Sequence, residues 1–66
     1  MEERFRELVS RLVLLGYTPC ERKTILQEAA GKYTFDEMNF VQRTRAIRNL
    51  EKYEVLGANF LAQYSK

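Results

Sequence analysis

Cys20 is the residue with the clearest nucleophilic chemistry in this chain, which contains one cysteine and no histidine among its 66 residues. It occupies the second position of a predicted helix, where free amides and the helix dipole favour a thiolate. Arg22 and Lys23 follow within the same turn. A thiol sensor is therefore one hypothesis, although a small residue at a helix start explains the same pattern more simply.

The composition argues against an enzyme, a metal site and a bound cofactor. Without histidine the chain lacks the commonest general base and the usual partner of a nucleophilic serine or cysteine. One cysteine and no histidine do not make a zinc site. No strand is predicted, so no glycine-rich loop follows one to hold phosphates. The acidic pair Glu51 and Glu54 lies among lysines and arginines, where ion pairing on a helix surface accounts for it.

The most suggestive polar feature is a basic stripe, made of Arg45, Arg48 and Lys52. Spacings of three and four put these side chains on one face of a helix, with Arg43 to one side. Such a stripe, doubled in a dimer, provides contacts for phosphates or for an acidic partner. Glu51 and Glu54 are expected to pair with neighbouring basic side chains, and the formal net charge is only +2. A solvated face is therefore the simpler interpretation and a nucleic-acid surface the alternative.

Two short helices that form a hairpin are predicted in the first half of the chain. Residues 2–15 place apolar and polar side chains on opposite faces, as an amphipathic helix does. Thr18 and Glu21 match a capping box that starts a second helix at 19–30, and Gly31 follows its end. Short connections make neighbouring helices fold back on one another. The apolar stripe of the first helix contains Phe5, Leu8, Val9, Leu12 and Leu15.

The second half of the chain is predicted to form one long helix at about 35–64, on which the hairpin packs. Thr34 and Glu37 match a capping box at its start. Gly57 either ends this helix or lies inside it. A heptad seam keeps its phase through Gly57, which favours continuation, with a close neighbouring backbone at the glycine. The seam contains Ala46, Leu50, Tyr53, Gly57, Phe60 and Tyr64.

The long helix carries more apolar residues than two short helices can cover, because they fall on more than one side of the helix. When a chain of this length folds, it buries only about 60% of the surface that the unfolded chain exposes. We therefore predict a homodimeric bundle, since two-fold dimers are the commonest assembly. The seam offers one surface for this association. The side chains predicted to make apolar contacts with another chain are Phe40, Ile47, Val55 and Leu61.

These observations predict one all-α domain over residues 1–66 without a membrane span, because no apolar run is long enough. The single thiol suits a reducing cytoplasm. The predicted function is that of a small regulatory protein that self-associates and binds a protein partner through helical faces. The alternative is a dimeric nucleic-acid-binding regulator that uses the basic stripe. Neither the partner nor the orientation of the paired helices follows from the sequence.

Overall fold

Three α-helices and one 3-10 turn make up the computed structural model, which describes residues 1–64. The helices are α1 (Glu2–Leu14), α2 (Pro19–Ala30) and α3 (Phe40–Tyr64), and the 3-10 turn is Phe35–Glu37. Both short helices pack mainly on α3 and touch each other little. The predicted class, a helical hairpin packed on a long C-terminal helix, is confirmed.

The apolar stripe of α1 faces α3, as its periodicity predicts. Leu8 and Leu12 are fully buried, and Phe5 is 9% exposed. Leu14 lies off the stripe and is 84% exposed, which makes it the most exposed large apolar side chain of the described residues. Amphipathic spacing therefore sets which face of α1 enters the core, and Leu14 remains outside it.

The predicted capping box of α2 is present. The Thr18 hydroxyl accepts a hydrogen bond from the Glu21 amide at 3.2 Å, and the Glu21 carboxylate accepts one from the Thr18 amide at 2.8 Å. The helix ends at Gly31, whose left-handed backbone (φ 70°) suits glycine. Ile25 and Leu26 are buried against the other helices. The start and the end of α2 are thus both determined by local sequence.

The predicted start of the long helix is wrong by about five residues. Thr34 makes no side-chain capping bond to an amide; its hydroxyl donates to the Glu37 carboxylate at 2.7 Å instead. The capping box is formed by Asn39 and Gln42. The side-chain oxygen of each residue accepts a hydrogen bond from the backbone N–H of the other at 2.9 Å. The helix α3 therefore begins at Phe40.

Burial of two side chains explains the separate turn before α3. Phe35 is 8% exposed and stacks on Phe5 with ring centroids 4.7 Å apart, and Met38 is 4% exposed. Met38 has an extended backbone (φ −93°, ψ 141°), which interrupts the helical hydrogen bonds between the turn and α3. Core packing therefore takes precedence over the capping signal at Thr34.

The core is one cluster that joins all three helices and the turn. Ala46 and Leu50 of α3 are completely buried in it. These two residues open the predicted heptad seam, so this part of the seam packs inside one chain and offers no surface for a dimer. Of the remaining seam residues, Phe60 is 59% exposed, and the side chain of Tyr64 lies outside the described residues. The buried residues are Phe5, Leu8, Leu12, Ile25, Leu26, Phe35, Met38, Ala46 and Leu50.

Candidate interaction surfaces

The helix α3 continues beyond the turn that joins α1 to α2. Its 25 residues correspond to a length of about 37 Å, nearly the whole 42 Å long axis of the molecule. Gly57 lies inside α3, which confirms the predicted continuation. Every residue from 58 to 63 is exposed. The last turns of α3 therefore project from the helical hairpin.

The projecting end of α3 is uncharged and carries large apolar side chains on its surface. Residues 55–64 include no lysine, arginine, aspartate or glutamate. Val55 is 56% exposed, Leu56 51% and Phe60 59%. The exposed Leu14 of α1 borders the same region, where it lines a recess together with Ala58. We define the apolar tip as Leu14, Leu15, Val55, Leu56, Ala58, Phe60 and Leu61.

Two concave surfaces lie on either side of Leu15, and their walls also include charged side chains: Glu21 in one, and Arg11 with Glu54 in the other. The larger is an open groove of about 470 Å³ whose walls include Tyr17, Leu56 and Phe60. The smaller recess, of about 190 Å³, lies between the α1 end and Ala58. The tip therefore combines projecting apolar side chains with hollows that accept such side chains.

The floor of the larger groove is formed by the ring of Tyr17 on Gly57. The Tyr17 hydroxyl donates a hydrogen bond to the backbone oxygen of Tyr53 at 2.8 Å, and the two tyrosine rings meet edge to face. A Cβ atom at Gly57 would lie only 3.0 Å from Cε2 of Tyr17. The neighbour at the glycine is therefore mainly a side chain, where a close backbone was expected. The pKa of Tyr17 is raised, mainly because its hydroxyl is buried.

The four predicted apolar contact residues do not form one surface. Phe40 is 73% exposed but lies at the start of α3, about 32 Å along the helix axis from Leu61. Ile47 is half-buried and packs against the core. Val55 and Leu61 both belong to the apolar tip, but their separation of six residues puts them on different sides of α3. The sequence signal that identifies their other neighbours on α3 is the absence of charge from 55 to 64.

The basic stripe is exposed and borders α2. Arg45, Arg48 and Lys52 line a shallow groove of about 330 Å³ with Ala29 and Asn49. The side-chain amide of Asn49 donates to the backbone oxygen of Ile25 at 2.8 Å, which fixes α3 against α2 at this groove. Within residues 1–64, no carboxylate lies within 4.0 Å of a stripe cation.

The acidic residues of α3 pair with α1, so the expectation that they neutralise the stripe is wrong. Glu51 bonds to Arg4 at 3.0 Å, and Glu54 lies 3.3 Å from Arg11. The pKa of Arg4 is raised, mainly because its guanidinium donates a hydrogen bond to Glu51. Arg43 does not extend the stripe either, because its guanidinium lies 4.3 Å from the ring centroid of Phe35 and donates to the backbone oxygen of that residue. Lys52 also lies near a ring, 5.6 Å from the centroid of Tyr53, but it remains exposed at the groove.

Other kinds of site have less support within residues 1–64. Cys20 lies at the second position of α2, as predicted, and its side chain is exposed. No three metal-binding side chains of the described chain come together, and none of its helices is both long and apolar enough to span a bilayer. Comparisons with protein-family models, curated proteins and solved structures found no match. The apolar tip and the basic stripe are therefore the two surfaces on which a function can be argued.

Proposed function

We propose that this protein is a small interaction protein that self-associates through its apolar tip. The observation that supports this most strongly is the uncharged run at 55–64, whose large apolar side chains from Val55 to Leu61 are exposed on a projecting helix end. Contiguous apolar patches of this kind are rare on soluble monomers and usually mark interfaces. A chain this small leaves much of its apolar surface exposed after folding, and burial of the tip in a dimer would add to its stability.

A second copy of the same chain suits this surface. In a two-fold dimer the same patch meets itself, so projections and hollows must lie within one patch. The tip has both, because Phe60 and Leu56 stand beside the larger groove that they line. Identical patches also bring identical charges face to face, and the absence of charge from 55 to 64 limits that repulsion to Glu21, Arg11 and Glu54 at the walls of the grooves.

The area available is sufficient for a weak but specific dimer. Side chains that are 42% to 84% exposed leave on the order of 500 Å² of apolar surface on each tip. Because the side chains at 55–61 point to several sides of α3, a partner tip covers only part of this area, which places the contact among the small, transient interfaces. Dimerisation by the tip leaves the stripe and the start of α3 outside the interface. The pairing is therefore local to one end of α3 and does not run along its whole length.

A matched pair of valines tests the proposal. Val55 is 56% exposed in the tip, and Val41 is 55% exposed at the opposite end of α3. We expect Val55→Asp to give a monomer in sedimentation velocity, because it would bury an unpaired carboxylate in the interface. Val41→Asp should remain dimeric, with both variants helical by circular dichroism.

Two results would count against the tip as the dimer interface. Dissociation by Val41→Asp alone would place the contact at the start of α3, near Phe40. An equal loss in both variants would indicate pairing along the whole helix. A wild-type chain that is monomeric, yet binds an added amphipathic helix through the tip, would replace self-association with a protein partner of the helix-in-groove type.

A further inference from the structure

Charge is segregated across the two sides of α3. On the side that faces α1, the carboxylates of Glu51 and Glu54 are held by arginines of α1. On the side that borders α2, the described chain places no carboxylate within 4.0 Å of the cations of the basic stripe. The net charge of +2 therefore hides a surface that is locally more positive.

We propose that the basic stripe binds the phosphate backbone of double-stranded nucleic acid. The three cations lie along α3 within a span of seven residues, which corresponds to a length of about 10 Å along the helix axis. Long arginine and lysine side chains reach to either side of a helix, so each of the three cations can pair with a separate phosphate of the duplex. Each chain thus supplies about three phosphate contacts, from Arg45, Arg48 and Lys52.

The surroundings of the stripe favour a duplex backbone over other anionic partners. Its groove is lined by small or polar side chains, Ala29 and Asn49, in addition to the cations. Protein interfaces draw most of their energy from buried aromatic and arginine anchors in pockets, and single-stranded nucleic acids stack on aromatic platforms. Membrane-surface helices set large apolar side chains against their basic face. The described groove is lined by no aromatic and no large apolar side chain, and its arginines are exposed.

The inference has a quantitative consequence in the salt dependence of binding. Three neutralised phosphates give a slope of about −2.7 for the logarithm of the binding constant against the logarithm of salt concentration. A dimer that presents both stripes to one duplex doubles this slope to about −5.4, a loss of about 10³-fold in affinity between 50 and 200 mM salt. The slope thus reports how many stripes bind.

The test is fluorescence anisotropy with a labelled 20-bp DNA duplex, titrated at several salt concentrations. The double variant Arg45→Gln/Arg48→Gln should lower the slope by about 1.8 for each stripe bound, since two phosphate contacts are lost. The matched control is Arg6→Gln/Lys23→Gln, which removes two exposed cations that lie outside the basic stripe and outside the walls of both tip grooves. We expect this control to keep at least half of the wild-type slope and to bind far more tightly than the stripe variant.

Three results would overturn the assignment to duplex nucleic acid. The first is equal weakening by both double variants, which would show attraction to net charge alone. The second is the absence of measurable duplex binding by the wild type at 50 mM salt. The third is tighter binding of a polyglutamate peptide than of the duplex at equal salt, which would assign the stripe to an acidic protein.

The same assay separates this inference from the proposed dimer. Val55→Asp lies outside the stripe, so it should leave duplex binding measurable while halving the slope to about −2.7. A wild-type slope of about −2.7 that Val55→Asp does not change would support a single bound stripe, and sedimentation of the same two chains would then decide the dimer. A full dimer without duplex binding would support the tip and contradict the stripe.

Discussion

Alanine at Gly57 is predicted to change the stability of the chain with a sign that depends on residue 17. Gly57 lies inside α3, where alanine usually stabilises a helix by about 1 kcal/mol relative to glycine. The structure opposes this gain, because the new Cβ would lie 3.0 Å from Cε2 and 3.2 Å from the hydroxyl oxygen of Tyr17. Both atoms would have to move away by a few tenths of an ångström.

The size of the effect follows from what Tyr17 holds. Its hydroxyl donates to the backbone oxygen of Tyr53 at 2.8 Å, and loss of such a bond costs about 1 kcal/mol. Overpacking against a ring adds about 1 kcal/mol or more. Gly57→Ala should therefore destabilise the chain by about 1 kcal/mol net. The methyl of Leu15, at 3.3 Å from the Cβ, is the end of a flexible side chain and can rotate away.

Removal of Tyr17 should reverse the sign. In a Tyr17→Ala background, Gly57→Ala meets little resistance and should stabilise the chain by up to about 1 kcal/mol. The coupling between the two positions is then about 2 kcal/mol, well above the error of additivity for independent sites. Tyr17→Ala itself lowers stability, so all four chains are compared in the same concentration of a stabilising osmolyte.

Urea unfolding followed by circular dichroism measures this cycle. All four chains also carry Val55→Asp, because self-association would otherwise contribute to stability. With a slope of about 1 kcal/mol per molar urea, each effect moves the midpoint by about 1 M. If Gly57→Ala stabilised the chain equally with and without Tyr17, no ring would lie on the glycine, and the groove floor described above would be wrong.

Three further predictions concern the helix starts and the core. Asn39→Ala should lower the unfolding free energy by about 1 kcal/mol in urea melts, whereas Thr34→Ala, which removes no capping bond, should change it much less. Leu50→Ala, which empties a fully buried site, should cost about 2 to 5 kcal/mol in the same assay. Bonds from Thr18 lower the pKa of Glu21, so the stability they add is present above the unfolded pKa of about 4.3 and is lost as pH falls through the folded value. Glu21→Gln should flatten stability over that acid range in melts at stepped pH.

Local signals predicted the short helices well because their determinants lie close together in the sequence. The bonds between Thr18 and Glu21 span three residues, and the apolar stripe of α1 repeats within one helix. The start of α3 could not be predicted in this way. Thr34 and Asn39 both carry a capping signal, and the choice between them depends on burial of Phe35 against Phe5, thirty residues earlier in the chain.

The candidate surfaces show the same division between local and distant information. The spacing of Arg45, Arg48 and Lys52 predicted a common face, and these residues do lie together. Their lack of a described acidic partner was not predicted, because Glu51 is bound by Arg4, 47 residues away in the sequence. Heptad spacing likewise predicts that a seam is buried, but the element that buries it can belong to a second chain or to the same chain. Leu50 is buried within the same chain.

Sedimentation equilibrium of the unmodified chain, over a range of concentrations at low and high salt, decides whether the apolar tip forms a dimer. We expect a reversible monomer–dimer equilibrium that salt hardly changes, because the tip segment at 55–64 carries no charge. A chain that stays monomeric throughout would contradict self-association by the apolar tip. A dimer that dissociates in high salt would contradict it too, since charged side chains would then hold the interface.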